Sequence, residues 1–237
     1  MRTIALLTDF GTRDPYVAAM KGVIASRCDA RIVDLSHEIA AFDVWEAAFF
    51  VRDVVVHYWP EETIFVCVVD PGVGTARRII AVEARGRFFL APDNGLLHFV
   101  EGHTFEVANE SFFLPKGSTT FHGRDRFAPV AAALANGTDI GELGPRIDDR
   151  VPLDYAPGCV IRIDRFGNCI TDLVPPAEPY AVMAGEQRID EIRKSYTGDG
   201  AFVIIGSTGC IEISVAGGSA ASLLHLRRGD RVTIVSR

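Results

Sequence analysis

The chain has 237 residues, enough to bury a sizeable core, with 48% hydrophobic and 23% charged residues, so it reads as folded rather than disordered. Twenty-four basic residues against 31 acidic ones leave a net charge of −7, which lacks the basic footprint of a protein that binds a phosphate backbone. No apolar run approaches the ~20 residues needed to span a bilayer, and the N-terminus has no small-residue cleavage site, so neither membrane nor export is expected.

In chain order, Thr3 to Leu7 is a short apolar strand. Asp14-Pro15 predicts an N-cap followed by proline in the first helical turn, with a helix from Tyr16 to Ser26. Arg31 to Leu35 is the next strand. Asp43 caps a helix whose Val44, Ala47, Ala48, Val51 and Val55 recur at helical spacing. Ile64 to Val69 is continuous, mostly β-branched and free of charge, the mark of a strand buried on both faces of a parallel sheet. Ile79 to Glu83 and Arg87 to Leu90 form a hairpin, and Arg126 to Ala135 a helix ended by Asn136-Gly137. Gly144-Pro145, Pro152 and Pro157-Gly158 then mark a linker. Beyond it come a hairpin around Arg165 to Asn168 and the short strands Ala201 to Ile205, Cys210 to Val215 and Arg231 to Val235. The expected architecture is α/β: a mostly parallel-sheet domain over residues 1–145, a linker over 146–157, and a small antiparallel β domain, sheet or barrel, over 158–237.

Chemistry-bearing residues gather where strands end. Thr8-Asp9-Phe10-Gly11 follows the first strand, and the run from Asp70 through Gly72 and Gly74 to Arg77-Arg78 follows the buried one. Open α/β sheets bind ligands beyond the carboxyl ends of their strands, so both are candidate pocket loops. The glycine-rich run is not a phosphate loop, since no Lys follows it, and it lacks the third glycine of a dinucleotide fingerprint. The histidines His37, His57, His98, His103, His122 and His225 form no zinc spacing, so no metal is expected. Cys28, Cys67, Cys159, Cys169 and Cys210 are odd in number and dispersed without a CxxC, which fits small core residues in a reducing, cytoplasmic compartment.

Six motifs stand in one order: Thr8 to Gly11, Val68 to Thr75, Ala91-Pro92-Asp93-Asn94-Gly95 to Leu97, Phe121-His122-Gly123-Arg124-Asp125, Asp164 to Asn168, and Gly217-Gly218-Ser219-Ala220-Ala221. In this the chain resembles the S-adenosylmethionine hydroxide adenosyltransferases, relatives of fluorinase and chlorinase, over nearly its whole length. The resemblance implies that water or hydroxide attacks the ribose C5′ of S-adenosyl-L-methionine and that methionine leaves, giving adenosine. It places the activating triad on Asp70, Arg77 and His122. The spacing of seven from Asp70 favours Arg77 over its neighbour Arg78. Halogenating relatives do not keep this triad, so oxygen is expected as nucleophile; a halogenase on the same pocket, or a low-turnover protein that binds adenosine or S-adenosylmethionine, are the alternatives. No cofactor is implied. The resemblance further implies a homotrimer whose active sites lie between the first domain of one chain and the second of its neighbour.

Asp9 matches the family's ribose ligand. Phe166 offers an apolar face to adenine, Asn168 a donor–acceptor pair to its edge or to the methionine end, and Asp164 a charge partner for the methionine ammonium. All three are equally ordinary turn residues. Ser207, Glu212 and the backbone at Val215 occupy the remaining substrate positions, although Glu212 also suits an edge-strand charge. The sequence departs from the family pattern at Thr171-Asp172, at Val215-Ala216-Gly217 and at His98.

Deprotonation of water by Asp70 alone cannot make free hydroxide. A carboxylate near pKa ~3.9 and water at ~15.7 differ by about 12 units, or roughly 16 kcal/mol. Either Asp70 takes the proton late, as the C–O bond forms, or Arg77 with a protonated His122 acidifies the water.

Overall fold

Apolar strands of five or six residues dominate the N-terminal part of the chain because nearly every side chain in them is covered. A computed structural model describes residues 1–55 and 58–237, so His57 lies outside the described residues. The chain divides into two compact units, residues 1–154 and 155–237.

The first unit is built on a seven-stranded sheet in the order β2-β1-β3-β5-β4-β6-β7. Its strands are β1 (Thr3–Thr8), β2 (Arg31–Ser36), β3 (Ile64–Val68), β4 (Ile79–Ala84), β5 (Arg87–Pro92), β6 (His103–Glu106) and β7 (Arg146–Ile147). β1 runs parallel to β2 and β3, and β3 parallel to β5, whereas β4, β6 and β7 join antiparallel. The sheet is therefore parallel in one half and antiparallel in the other. The tight turn at Arg85 (φ 50°) and Gly86 (φ 71°) closes the β4–β5 hairpin, the geometry that a two-residue connection favours.

Successive residues of the central strands serve opposite cores. Ile4, Leu6, Ile64, Val66 and Leu90 pack with Met20, Ile24, Phe127, Val130 and Leu134, so the helices Tyr16–Ala25 and Ala128–Ala135 cover one face. Ala5, Leu7, Phe65 and Cys67 pack with Ala47, Val51, Leu96 and Leu97 on the other, under the helix Val44–Phe50. Burial on both faces explains why β3 carries no polar residue.

Two helix starts differ from expectation. Pro15, not Asp14, stands immediately before the first helix, and no side chain caps it; the Pro15 carbonyl accepts from Ala19 N–H. The last helix of this unit is preceded by a π-helical turn, Gly123–Phe127, that follows directly on His122. Gly123 lets this turn pack closely: a Cβ there would lie 3.1 Å from Met20 Sδ and 3.2 Å from Phe10, so those side chains would have to give by a few tenths of an ångström. Asp43 does cap its helix, accepting from Glu46 N–H at 2.8 Å.

The second unit contains two small sheets. One has the order β12-β13-β14-β9-β8 and the other β11-β10-β15. The strands are β8 (Val160–Ile163), β9 (Cys169–Thr171), β10 (Tyr180–Ala184), β11 (Gln187–Ile189), β12 (Ile192–Arg193), β13 (Ala201–Ile205), β14 (Ile211–Val215) and β15 (Val232–Ser236). Every pairing is antiparallel except β12 with β13. Val160, Cys169, Val182, Val203, Ile213 and Val232 share one core with the short helix Ala220–Leu224. All five cysteines are free thiols, three of them buried.

Candidate active site

Parallel register brings three loops to one edge of the first sheet. Thr8 pairs with Val68 and Val66 with Leu90, so the segments after β1, β3 and β5 leave the sheet side by side. Asp9, Asp70 and the Asp93-Asn94 pair sit in those segments.

Asp70, Arg77 and His122 form one hydrogen-bonded chain. Arg77 Nε donates to both oxygens of Asp70, at 2.9 and 3.0 Å, and Nη2 also reaches Oδ2. The same Nη2 contacts His122 Nδ1 at 2.8 Å. All three are buried: the Asp70 and Arg77 side chains are 5% and 10% exposed, and His122 is 2% exposed. The loop that carries the first two turns tightly at Gly74 (φ 80°), where a Cβ would stand 2.6 Å from the Thr119 carbonyl. Gly72 lies under Arg77 Cγ with space for nothing larger than hydrogen without displacement.

The contact with Arg77 fixes the histidine's state. A guanidinium only donates, so Nδ1 is the acceptor and the proton of the neutral ring is on Nε2. Burial, then the positive charges of Arg126 and Arg77, push the imidazole down to about 4, so the ring is neutral near pH 7. A ring that is neutral near pH 7 does not fit the protonated-imidazole picture. Among the described residues, two buried donors have no partner here: Arg77 Nη1 and His122 Nε2. Buried N–H groups without acceptors are costly, and a cluster of them is the natural place for an incoming oxygen.

Arg78 is engaged elsewhere. Its guanidinium binds Asp93 Oδ2 at 2.9 and 2.6 Å and Asp149 Oδ1 at 2.9 Å. Of the two adjacent arginines, only Arg77 faces Asp70 in a hydrogen bond. Asp9 is half-buried and its Oδ2 accepts from Phe42 N–H at 2.8 Å. Burial raises its pKa against the pull of that hydrogen bond, and the nearby Asp70 charge adds to the rise. Phe42 is 71% exposed with φ 68°, a left-handed conformation uncommon for an aromatic residue. Phe10, Tyr16 and Phe121 make an edge-to-face cluster beside His122, with centroids 5.2 to 6.1 Å apart.

The second unit holds a cavity of about 600 Å³ lined by Asp164, Phe166, Asn168, Tyr196, Val215, Gly217 and Gly218. Asp164 acts as a turn residue and a wall residue at once. Its Oδ1 accepts from Phe166 and Asn168 N–H, each at 2.9 Å, and its Oδ2 accepts from the Asn168 amide at 2.9 Å. Gly167 (φ 83°) lets the hairpin tip press on Ser219, whose Oγ would be 2.2 Å from a Cβ. Phe166 is left 76% exposed, a ring with no protein partner over most of its surface. Glu212 is buried rather than an edge charge: Oε1 accepts from Tyr196 Oη at 2.8 Å and Ser214 Oγ at 2.9 Å. Burial and this carboxylate push the Tyr196 phenol up to about 12, so it stays a neutral donor. Ser207 is exposed on the turn between β13 and β14 and is not among the residues lining the cavity.

Tyr196 escaped the sequence reading because it stands alone in the polar run Lys194 to Asp199, where no periodicity signals a wall. The departure at Asp172 has a local role: its carboxylate accepts from Gly158 and Cys159 N–H, pinning the start of β8. His98, another departure, is exposed and accepts from Leu153 N–H through Nδ1.

Comparison with known proteins places these features in a family. Residues 4–144 match the SAM hydroxide adenosyltransferase N-terminal domain, and residues 158–233 match the C-terminal domain of the same family. An (R)-S-adenosyl-L-methionine hydrolase from Thermus thermophilus is 39% identical, covering 99% of this chain and 100% of its own. A fluorinase from an Actinoplanes species is 31% identical over 72% of this chain and 71% of its own. The crystal structure of an uncharacterized conserved protein from Thermotoga maritima superposes with a TM-score of 0.88 at 32% identity, covering 98% of this chain and 100% of that one. The chain belongs to the SAM hydroxide adenosyltransferase family.

Proposed function

We propose that the chain hydrolyses S-adenosyl-L-methionine to adenosine and L-methionine by attack of water at the ribose C5′. The observation that carries this reading is the buried Asp70–Arg77–His122 chain with its two unpartnered donors. Full-length similarity to an (R)-S-adenosyl-L-methionine hydrolase supports it.

The sulfonium departs as a neutral thioether, so no acid is needed on the leaving side. The enzyme's work is to hold one oxygen in line with the C5′–S bond and to receive its proton. Arg77 Nη1 and His122 Nε2 donate to that oxygen. Its charge as nucleophile is stabilised by donors that need not reorganise. As the C–O bond forms and the C–S bond breaks, the oxygen's surplus proton passes to Asp70 and from there to solvent. His122 cannot take it without giving up the Arg77 hydrogen bond on Nδ1. The reaction so written needs no metal and no cofactor.

Asp9 accepts from ribose hydroxyls, with its carboxylate oriented by the Phe42 bond. Phe166 stacks on adenine, Asn168 and the Val215 backbone bind its polar edge, and Asp164 attracts the methionine ammonium. Glu212 acts by holding Tyr196 in the cavity wall, and Ser207, exposed on the turn between β13 and β14, keeps only the substrate position that the resemblance implies. The domains divide this work: residues 1–145 carry the triad, and residues 158–237 the adenine and methionine contacts. We further propose a homotrimer in which a site takes its triad from one chain and its nucleoside contacts from a neighbour. The five free thiols fit a reducing cytoplasm, and no helix among the described residues is long and apolar enough to cross a membrane.

The test is to incubate the pure chain with S-adenosylmethionine in ¹⁸O-labelled water. Adenosine carrying the label at its 5′ oxygen, with methionine in equal amount, is the expected result. No adenosine above the uncatalysed background refutes the reading. A 5′-halogenated nucleoside on adding chloride or fluoride replaces it with the halogenase.

A further inference from the structure

The loop that carries Asp70 and Arg77 has few bonds of its own. Val73 and Thr75 N–H donate to the Asp70 and Gly72 carbonyls, and the Thr75 hydroxyl bridges Gly72 and Arg77. These are single-turn contacts with glycines between them, alongside the direct Arg77–Asp70 bonds. The next loop along the sheet edge adds bonds at both ends. Asn94 Nδ2 donates to the Val69 carbonyl at 3.0 Å, immediately before Asp70. Asp93 takes the Arg78 guanidinium, immediately after Arg77, and its own N–H donates to the Arg78 carbonyl at 3.0 Å.

We infer that Asp93, Asn94 and Arg78 are positioning residues for the reaction, a clamp that grips the catalytic loop at both ends and sets the distance between Asp70 and Arg77. The inference rests on the functional reading above and extends it. Asp93 suits the task because it is almost wholly enclosed: its side chain is 2% exposed, and its second oxygen accepts from Val151 N–H at 2.9 Å. A buried carboxylate that loses its cation is left uncompensated, so Arg78 has one position and not several. Arg78 in turn reaches Asp149, through the carboxylate at 2.9 Å and the carbonyl at 2.8 Å. The segment 149–151 is thereby tied to the same clamp.

A purely structural ion pair would change melting temperature alone. A clamp changes where Arg77 sits, and His122 reports that through Nδ1. His122 is faced by Arg77 and Asp70 from the loop and by Arg126 and Asp125 from its own turn; only the first two move with the clamp. The variant to make is the double change Arg78→Gln with Asp93→Asn, which leaves a neutral hydrogen-bonding pair in place of the ion pair, with Arg150 still bonded to the Leu97 and Val100 carbonyls. The expected result is a fall in kcat of about 10- to 100-fold with KM within about threefold, the size that a displacement of about 1 Å produces. The ¹⁵N resonance of His122 Nδ1 shifts as its bond from Arg77 is lost. Asn94→Asp, which keeps the ion pair but turns an acceptor toward Val69 O, gives the same two changes from the other flank. Adenosine from the wild-type chain tests the functional reading, whereas the nitrogen resonance tests the clamp without turnover. A His122 resonance unchanged in both variants overturns the clamp, whatever happens to stability.

Discussion

Protonating His122 is predicted to damage the site, and the effect can be sized. An ordinary imidazole titrates near 6.5, and this one is pushed down to about 4 by burial and by the Arg126 and Arg77 cations. Between those two values the unfolded chain binds a proton that the folded chain does not. Stability therefore rises with pH through this window and is lost on acidification. A displacement of about 2.5 units at about 1.36 kcal/mol each makes the full loss about 3 kcal/mol, most of it reached by pH ~4.5. Carboxylates titrate in the same range, so the measurement is a difference. Urea unfolding of the wild type and of His122→Asn, whose side-chain oxygen can still accept from Arg77, is compared at pH 7 and pH 4.5. The variant should lose about 2 to 3 kcal/mol less than the wild type across that interval. The ring itself, followed by its carbon and nitrogen resonances, should remain the Nε2–H neutral form down to about pH 5. A titration at or above 6, or equal acid losses in both proteins, would refute the neutral-donor role.

The other expectations are more direct. Arg77→Lys keeps a cation but loses the planar fork that binds Asp70 twice and His122 once; kcat should fall about 100-fold or more while the nucleoside contacts leave KM little changed. Asp70→Asn removes the only base of the trio and should reduce kcat at least as far in the same assay. Phe166→Ala should raise KM with a smaller effect on kcat, because the exposed ring meets the ligand in both ground and transition state; an unchanged KM would remove it from the adenine contact. Gly74→Ala should destabilise the first unit by about 1 to 3 kcal/mol in thermal or urea unfolding, since φ 80° is strained for alanine and the Thr119 carbonyl stands in the way.

Much of the first sheet was legible because its central strands β1, β3, β4 and β5 are buried on both faces and read as apolar runs. Ile64 to Val69 is the clearest case, off by one residue from β3. The β4–β5 hairpin was read correctly, but the rest of the antiparallel half was less visible, since β6 and β7 have four and two residues and carry no periodic pattern. In the second unit β11 and β12 went unread for the same reason, since two- and three-residue strands with polar side chains resemble loops until a partner supplies the ladder, while the apolar run of β10 was missed despite its buried pattern. Ordered motifs singled out Asp70, Arg77 and His122, which the structure joins by hydrogen bonds, but not the partners of the other residues in those motifs. Nothing in Ala91 to Leu97 says that Asp93 binds Arg78 rather than a ligand. Asp164 shows the converse, because a turn residue and a cavity residue look identical in sequence and here are the same carboxylate.

The protonation pattern of the trio bears on why oxygen rather than halide should be the nucleophile. Asp70 and Arg77 together carry no net charge, and the neutral His122 adds none. A halide entering beside Asp70 would meet a full negative charge with only one cation to balance it. At about 4 Å and an effective dielectric of about 20 the Asp70 repulsion alone is roughly 4 kcal/mol; the Arg77 cation offsets most of it, so what a halide chiefly lacks is a proton to offer the carboxylate in return. Water enters uncharged, accepts the Arg77 and His122 donors, and yields its proton to Asp70 as its own charge develops. The carboxylate that repels the ion is thus the group that the water reaction requires. Asp70→Asn separates the two effects: it should abolish hydrolysis while easing halide entry. A variant in which chloride still yields no 5′-chloronucleoside, and chloride binds no more tightly than to the wild type, would show that exclusion of halide comes from the shape of the cavity and not from this charge.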